Sequence, residues 1–184
     1  ACASNLLKSE EPVFDPNAFC TQGKVMDGWE SRRKRIKGHD WCVIKLGFPC
    51  LPEEVVFNTR WFTGNFVPMA SLDGICLDEK AENTIMKSLQ LLPHHDDLGI
   101  QGTGCSVDEV ERALQIFSSV DAPWVELVPK TPLSAGYEGT NLTAVKLPPT
   151  AQGQRITHVR LNYFPDGGVA RLSVLGKVSC DISR

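Results

Sequence analysis

Glu30 opens the stretch Glu30-Ser31-Arg32-Arg33-Lys34-Arg35, in which one carboxylate stands between Trp29 and a run of bases. A carboxylate in that setting can orient an arginine, serve as a general base, or form one half of a structural ion pair. Arginine suits the gripping of a small carboxylate, because its planar guanidinium offers two parallel N–H donors. Farther on, "THVRLN" (157–162), read as a strand, places His158, Arg160 and Asn162 on one face and Thr157, Val159 and Leu161 on the other. The polar face reads either as a ligand-facing strip or as an exposed strand face. "PDGG" (165–168) is first of all a turn, whose Asp166 and glycine backbone can also meet a ligand at the end of a sheet. A direct His39–Asp40 catalytic contact is disfavoured, since strand neighbours point to opposite faces. "HHDD" (94–97) is the one metal-like cluster, but adjacent residues rarely supply every ligand to one ion.

The basic run itself has several readings: a nucleic-acid patch, an import signal, a solvated turn, or a split role in which arginines enter a pocket while lysines face water. The chain carries 19 Lys and Arg against 22 Asp and Glu, a formal charge of −3. Without Arg32, Arg33, Lys34, Arg35 and Lys37, fourteen bases face 22 acids, so the run stands on an acidic background. Nucleic-acid binding spreads positive charge over a face to match a phosphate lattice, and that pattern is missing. Seven scattered cysteines with no CxxC and no zinc-like Cys/His spacing suggest free thiols in a reducing compartment. No P-loop, dinucleotide fingerprint or G-x-S-x-G is present, and no apolar run is long enough to span a membrane. The triplet "NLT" (141–143) is a formal glycosylation acceptor of a kind common by chance. The chain opens on Ala1 rather than Met, which reads as the trace of a longer protein.

These groups need a scaffold. "WCVIKLG" (41–47) and "EVVFNTRWF" (54–62) read as two strands, and "VPMASLDGICL" (67–77) as a shorter third. From Asp78 to about Gly104 the sequence reads as a polar, irregular surface excursion. "SVDEVERALQIFSSV" (106–120) is the one expected helix, with a Ser106–Glu109 capping box and an apolar face of Val107, Val110, Leu114 and Phe117. "WVELV" (124–128) is a strand closed by Pro129 and Pro132. "RITHVRLNYF" (155–164) and "VARLSVLGKV" (169–178) read as two strands joined by the tight Asp-Gly turn. Short strands with Gly/Pro turns and one helix in a long connection predict a mainly β sandwich. Residues 1–184 read as one domain, or at most one and a half, with an irregular or helical excursion at about 78–120.

Three segments, "DGWESRRKR…GHDWCVIKLG", "WFTGN" and "THVRLNYFPDGGVARLSVLG", closely resemble the allantoicase family in wording, order and spacing. The family chain carries two such repeats, and this sequence resembles the first. It differs in having Asn58 where the family strand before "FTGN" usually begins with Asp. The resemblance implies a jelly-roll sandwich similar to galactose-binding-like modules, and hydrolysis of allantoate to ureidoglycolate and urea in purine breakdown. On residue chemistry and motif position, Arg33 or Arg32 would bind the substrate carboxylate, with Arg171 a weaker candidate. Asn65 and Asn162 would hold ureido groups, and Glu30, His158 or Asp166 would handle protons. No cofactor is expected, with a divalent metal left open. The expected partners are allantoate and a second repeat or second copy, with no nucleic acid and no membrane, in the cytoplasm. The competing reading is a ligand-binding jelly-roll module that keeps the fold without the chemistry.

Overall fold

The computed structural model describes residues 3–21, 23–35, 37–90 and 107–180. A 3-10 turn at Ala3–Leu7 leads into short pieces, β1 (Phe19–Cys20), β2 (Gly23–Lys24) and β3 (Trp29–Glu30). The long strand β4 (Asp40–Asn58) follows, then β5 (Met69–Ile75), α1 (Glu79–Gln90), α2 (Val107–Ser118) and β6 (Val125–Pro132). The chain ends through β7 (Leu142–Lys146), β8 (Ile156–Phe164), β9 (Gly168–Val169) and β10 (Arg171–Val178). The six-stranded antiparallel sheet runs β10-β4-β8-β5-β6, with β7 also paired to β4. It is the mainly β sandwich the strand count predicts.

β4 merges the two strands expected at 41–47 and 54–62. Its first half pairs with β8, from Asp40↔Tyr163 to Lys45↔His158, and its second half lies between β10 and β7. If the register held, Ile156 would face Gly47; it faces Cys50, and Glu53 has no partner across β10. Pro49 and Pro52, which lack a ladder donor, sit among these irregularities. The inward positions change parity across the bend, from Cys42, Ile44 and Leu46 to Val55 and Phe57. One strand thereby serves both layers. It stops at Asn58 because residues 59–62 close a turn, with Phe62 N donating to Thr59 O at 2.9 Å. Trp61 in that turn takes φ 73°, a left-handed conformation costly for a bulky residue.

The expected hairpin of 155–164 with 169–178 does not form. β8 and β10 both flank β4, along different halves, and do not pair with each other. The reason lies in the turn, whose backbone bonds outward: Pro165 O accepts from Asp40 N, Gly167 O from Ser31 N, and Gly168 N donates to Asn65 O. β9 then pairs with β3 instead of extending the sheet.

Val55, Phe57, Ala70, Leu72, Leu127, Val159, Leu161, Tyr163 and Leu172 form the core between the layers. A second apolar cluster, including Ile75, Leu77, Ile85 and Phe117 with Trp41, Val43 and Trp124 against it, packs the helices on the outer face of β4 and β5. Among the described residues this connection holds two helices rather than one. α1 occupies 79–90, where an irregular excursion is expected, and Asp78 caps it by accepting from Ala81 N at 2.7 Å. Glu79 and Glu82 lie in its first turn and Lys87 in its last, matching the helix dipole. In α2, Phe117 and Ala113 are buried and Leu114 is exposed. The Ser106 cap, the side chains of Val107 and Val110, and "HHDD" lie outside the described residues.

Candidate functional site

Glu30 ends β3 opposite Gly168 of β9, and Asn65 reaches the same place from the loop before β5. Asn65 Nδ2 donates to Glu30 Oε1 at 2.7 Å, while Asn65 O accepts from Gly168 N at 2.8 Å. One asparagine therefore fastens the carboxylate and the glycine turn together. The turn requires its glycines. Gly167 has φ 134°, and a Cβ on Gly168 would come within 2.0 Å of the buried Phe62 ring. Trp29 stacks on the buried Tyr163 at 4.2 Å, anchoring β3 to the core beside the carboxylate.

The basic run leaves this point as a loop, described at residues 31–35 and 37–39, stapled to the turn. Ser31 N donates to Gly167 O at 2.9 Å, Gly167 N donates to Ser31 Oγ at 3.2 Å, and Lys34 N donates to Asp166 Oδ2 at 2.7 Å. Asp166 thus fixes the backbone that carries the arginines. Arg32, Arg33, Arg35 and Lys37 are exposed. Lys34 is the reverse of the expected solvated lysine: its side chain is 1% exposed, with Nζ 3.2 Å from Asp40 Oδ1. Because β3 ends at Glu30, strand alternation does not choose between Arg32 and Arg33, and both face solvent.

The polar strip of β8 lies on the outer face of the sheet, as its period predicts, but beneath the helices. Asp73 Oδ2 accepts from Arg160 Nη2 at 2.9 Å and from Asn162 Nδ2 at 2.9 Å. Asn162 also bonds Ser71 Oγ at 3.0 Å and faces His39 Nε2 at 3.3 Å. Arg160 stacks over Trp124 at 4.6 Å. Apart from Trp124, these groups line a pocket of about 210 Å³ together with Trp41, Phe164 and Leu114. Burial lowers the pKa of His39 below its usual 6.5, opposed by its bond to Asn162. Ser71 and Asp73 alternate with the buried Ala70 and Leu72, so their shared face was readable from the sequence.

Two other sequence candidates sit elsewhere. His158 pairs with Lys45 and Ile75 toward the start of β8; the six-residue rise to Phe164 puts it about 20 Å from the turn. Its Nδ1 lies 2.9 Å from Thr157 Oγ1 and its Nε2 3.9 Å from Glu82 of α1, and burial lowers its pKa. Arg171 is buried. Its guanidinium donates to Asp27 Oδ2 at 2.7 Å, Glu10 O at 2.9 Å and Ala170 O at 2.8 Å, tying β10 to the N-terminal segment. The hydrogen bond from Arg171 holds the Asp27 carboxyl below its usual range. Asn58 is also a joint: its Oδ1 accepts from Arg60 N at 2.9 Å and Asn141 Nδ2 at 2.9 Å.

The structure thus brings Glu30, Asn65, Asp166 and the arginine run to one end of the sandwich. Asn162 sits in the neighbouring pocket, and His158 and Arg171 lie elsewhere. Lys34, Asp40 and Ser31 are the partners that sequence reasoning missed; nothing in the run marks which base turns inward. Among the described residues, no group of three or more His, Cys, Asp or Glu is placed to hold a metal ion. Burial pushes the Cys42 thiol up to about 12, so it is no nucleophile. No helix among the described residues is long and apolar enough to cross a membrane.

The Allantoicase repeat family profile matches residues 1–179. A probable allantoicase of Pseudomonas aeruginosa is 35% identical over 176 residues, which are 96% of this chain and 40% of that protein. A probable allantoicase of Streptomyces coelicolor is 34% identical over 187 residues, again 96% of this chain and 40% of the relative. Among solved structures, one of allantoicase superposes with a TM-score of 0.63 at 25% identity, covering 99% of this chain and 43% of that one. The allantoicase of Saccharomyces cerevisiae gives the same TM-score at 22% identity, with 98% and 43% coverage. The chain spans about two fifths of the length of the curated relatives it matches. With its sandwich, its curated relatives and this profile match over residues 1–179, the chain belongs to the allantoicase repeat family.

Proposed function

We propose that this chain is one repeat of an enzyme that hydrolyses allantoate to ureidoglycolate and urea, with its chemistry at the Glu30–Asn65–Asp166 end of the sandwich. The supporting observation is that a carboxylate fixed by an amide lies at the foot of an exposed arginine loop. Allantoate has one carboxylate on a carbon bearing two ureido groups, and each part has a counterpart here. Arg33, or Arg32 beside it, clamps the carboxylate through two parallel hydrogen bonds. Asn65 meets a ureido group through its side-chain amide. Glu30 moves the proton: it takes one from the attacking water, whose oxygen bonds to the central carbon. The C–N bond to one ureido nitrogen breaks, and that nitrogen leaves protonated as urea. Asp166 is a positioning residue in this scheme, since one of its oxygens already holds the Lys34 amide. His158 and Arg171 are left out, the first by distance and the second because its donors are engaged.

Arg32, Arg33 and Asn65 are exposed, so this end is open in a single repeat. We place a second repeat, or a second copy of the chain, over it as the partner. The free and exposed Cys20, Cys76 and Cys180 support a reducing compartment, the cytoplasm. Glu30→Gln should lower turnover of allantoate by about 100-fold or more while melting like the wild type. Unchanged turnover in that variant would move the chemistry elsewhere. The openness of the site also favours a second reading, a ureide-binding module without catalysis. Saturable allantoate binding with no product identifies that case.

A further inference from the structure

We propose that Lys34 and Asp40 are a positioning pair that sets which bases of the run face the substrate, an inference that rests on the function proposed above. Lys34 lies among four exposed bases, yet its own side chain is 1% exposed and that of Asp40 is 8% exposed. Burying an ammonium ion costs several kcal/mol unless it is paired, so this inward turn needs its partner. Both residues are also fastened by their backbones to one short turn: Lys34 N to Asp166 Oδ2 at 2.7 Å, and Asp40 N to Pro165 O at 2.9 Å. The loop is therefore closed at both ends, with the ion pair across it at 3.2 Å. A slip of one residue would bring Arg33 or Arg35 to the inward position. Arginine's wide planar fork is not interchangeable with a point-like ammonium in a site where the side chain is 1% exposed. The inward lysine consequently keeps Arg33 and Arg35 outward on either side of it. A buried ion pair that selects register rather than adding stability is the best-attested use of such pairs.

Limited trypsin digestion of the folded protein reads the pair directly, since the run is itself a trypsin target. Wild type should be cut slowly at Arg33 and Arg35. Asp40→Asn and Lys34→Met should be cut at least about tenfold faster. Because each single variant breaks a buried ion pair and can fail to fold, Lys34→Met/Asp40→Leu is the control that removes both charges. It should melt near the wild type yet remain trypsin-sensitive. Equal digestion rates in wild type and the double variant would overturn the pair, because packing alone would then hold the run. Steady-state kinetics on the same proteins separate the two inferences. A KM for allantoate raised about tenfold, with kcat within about threefold, fits arginines that bind substrate. Faster digestion with an unchanged KM upholds the pair and overturns the assignment of the substrate carboxylate to these arginines.

Discussion

Glu30 is held through one oxygen by a 2.7 Å hydrogen bond from Asn65, and the contact lies near solvent. Asn65→Ala frees the carboxylate it orients and should lower turnover by roughly 10- to 100-fold, about 1.4–2.7 kcal/mol of barrier. Its melting temperature should change little, because Asn65 is exposed. Arg33→Ala and Arg32→Ala, measured side by side, decide which guanidinium clamps the carboxylate: the true clamp raises KM for allantoate, and its neighbour does not. At this scale the sequence showed residue types and their company, but not their direction. Glu30, Asn65 and Asp166 could be picked out because they sit in distinctive short motifs. The inward turn of Lys34 could not, since five bases in six positions look alike until Asp40 is seen beside one of them. Arg171 was the weaker candidate in the sequence, and the fold shows it bonded to Asp27 and to the Glu10 carbonyl.

The tie from β10 to the N-terminal segment is the Asp27–Arg171 pair, in which the carboxylate is 18% exposed and the guanidinium 7%. Asp27→Asn leaves the buried cation uncompensated and should cost on the order of 3 kcal/mol, measured by urea denaturation at neutral pH. The folded pKa of Asp27 is lowered from 3.8, so the contribution is complete above that value. It is lost as pH falls below 3.8 through the folded pKa. Under α1, His158 faces Glu82, Lys45 and Thr157, and its folded pKa is lowered from 6.5 by burial. The unfolded chain therefore takes up this proton first as pH falls. Stability should be complete above about 6.5 and decline toward pH 5, and His158→Gln should reduce that slope, with His39 supplying a part of the same sign. The strands themselves were legible from alternation and β-branched content. Their pairing was not: an Asp-Gly turn signals a hairpin locally, whereas here its carbonyls bond to Ser31 and Asp40, more than a hundred residues away. The joining of two strands into β4 was hidden in the same way, because the residues between them, Pro49 and Pro52 included, carry irregularities in the ladder. α1 was missed although Asp78 caps it, because its helix surface is mostly polar and only Ile85 is fully sunk in the second core.

At the scale of the molecule, two polar assemblies meet at His39, which ends the basic loop and lies 3.3 Å from Asn162. One face carries helices over the Asp73–Arg160–Asn162 network, while the β3–β9 end leaves the arginine loop open. That asymmetry, together with relatives two and a half times as long, is why a second repeat or copy is placed over the open end. The profile match assigned the family over nearly the whole chain, and the sequence motifs that carried the same resemblance are those that build the stapled loop. The most direct test is to incubate the folded protein with allantoate and quantify urea and ureidoglycolate over time. The account predicts both products in equal amounts, abolished by Glu30→Gln. Allantoate bound without product, or full turnover by the Glu30→Gln protein, would contradict it.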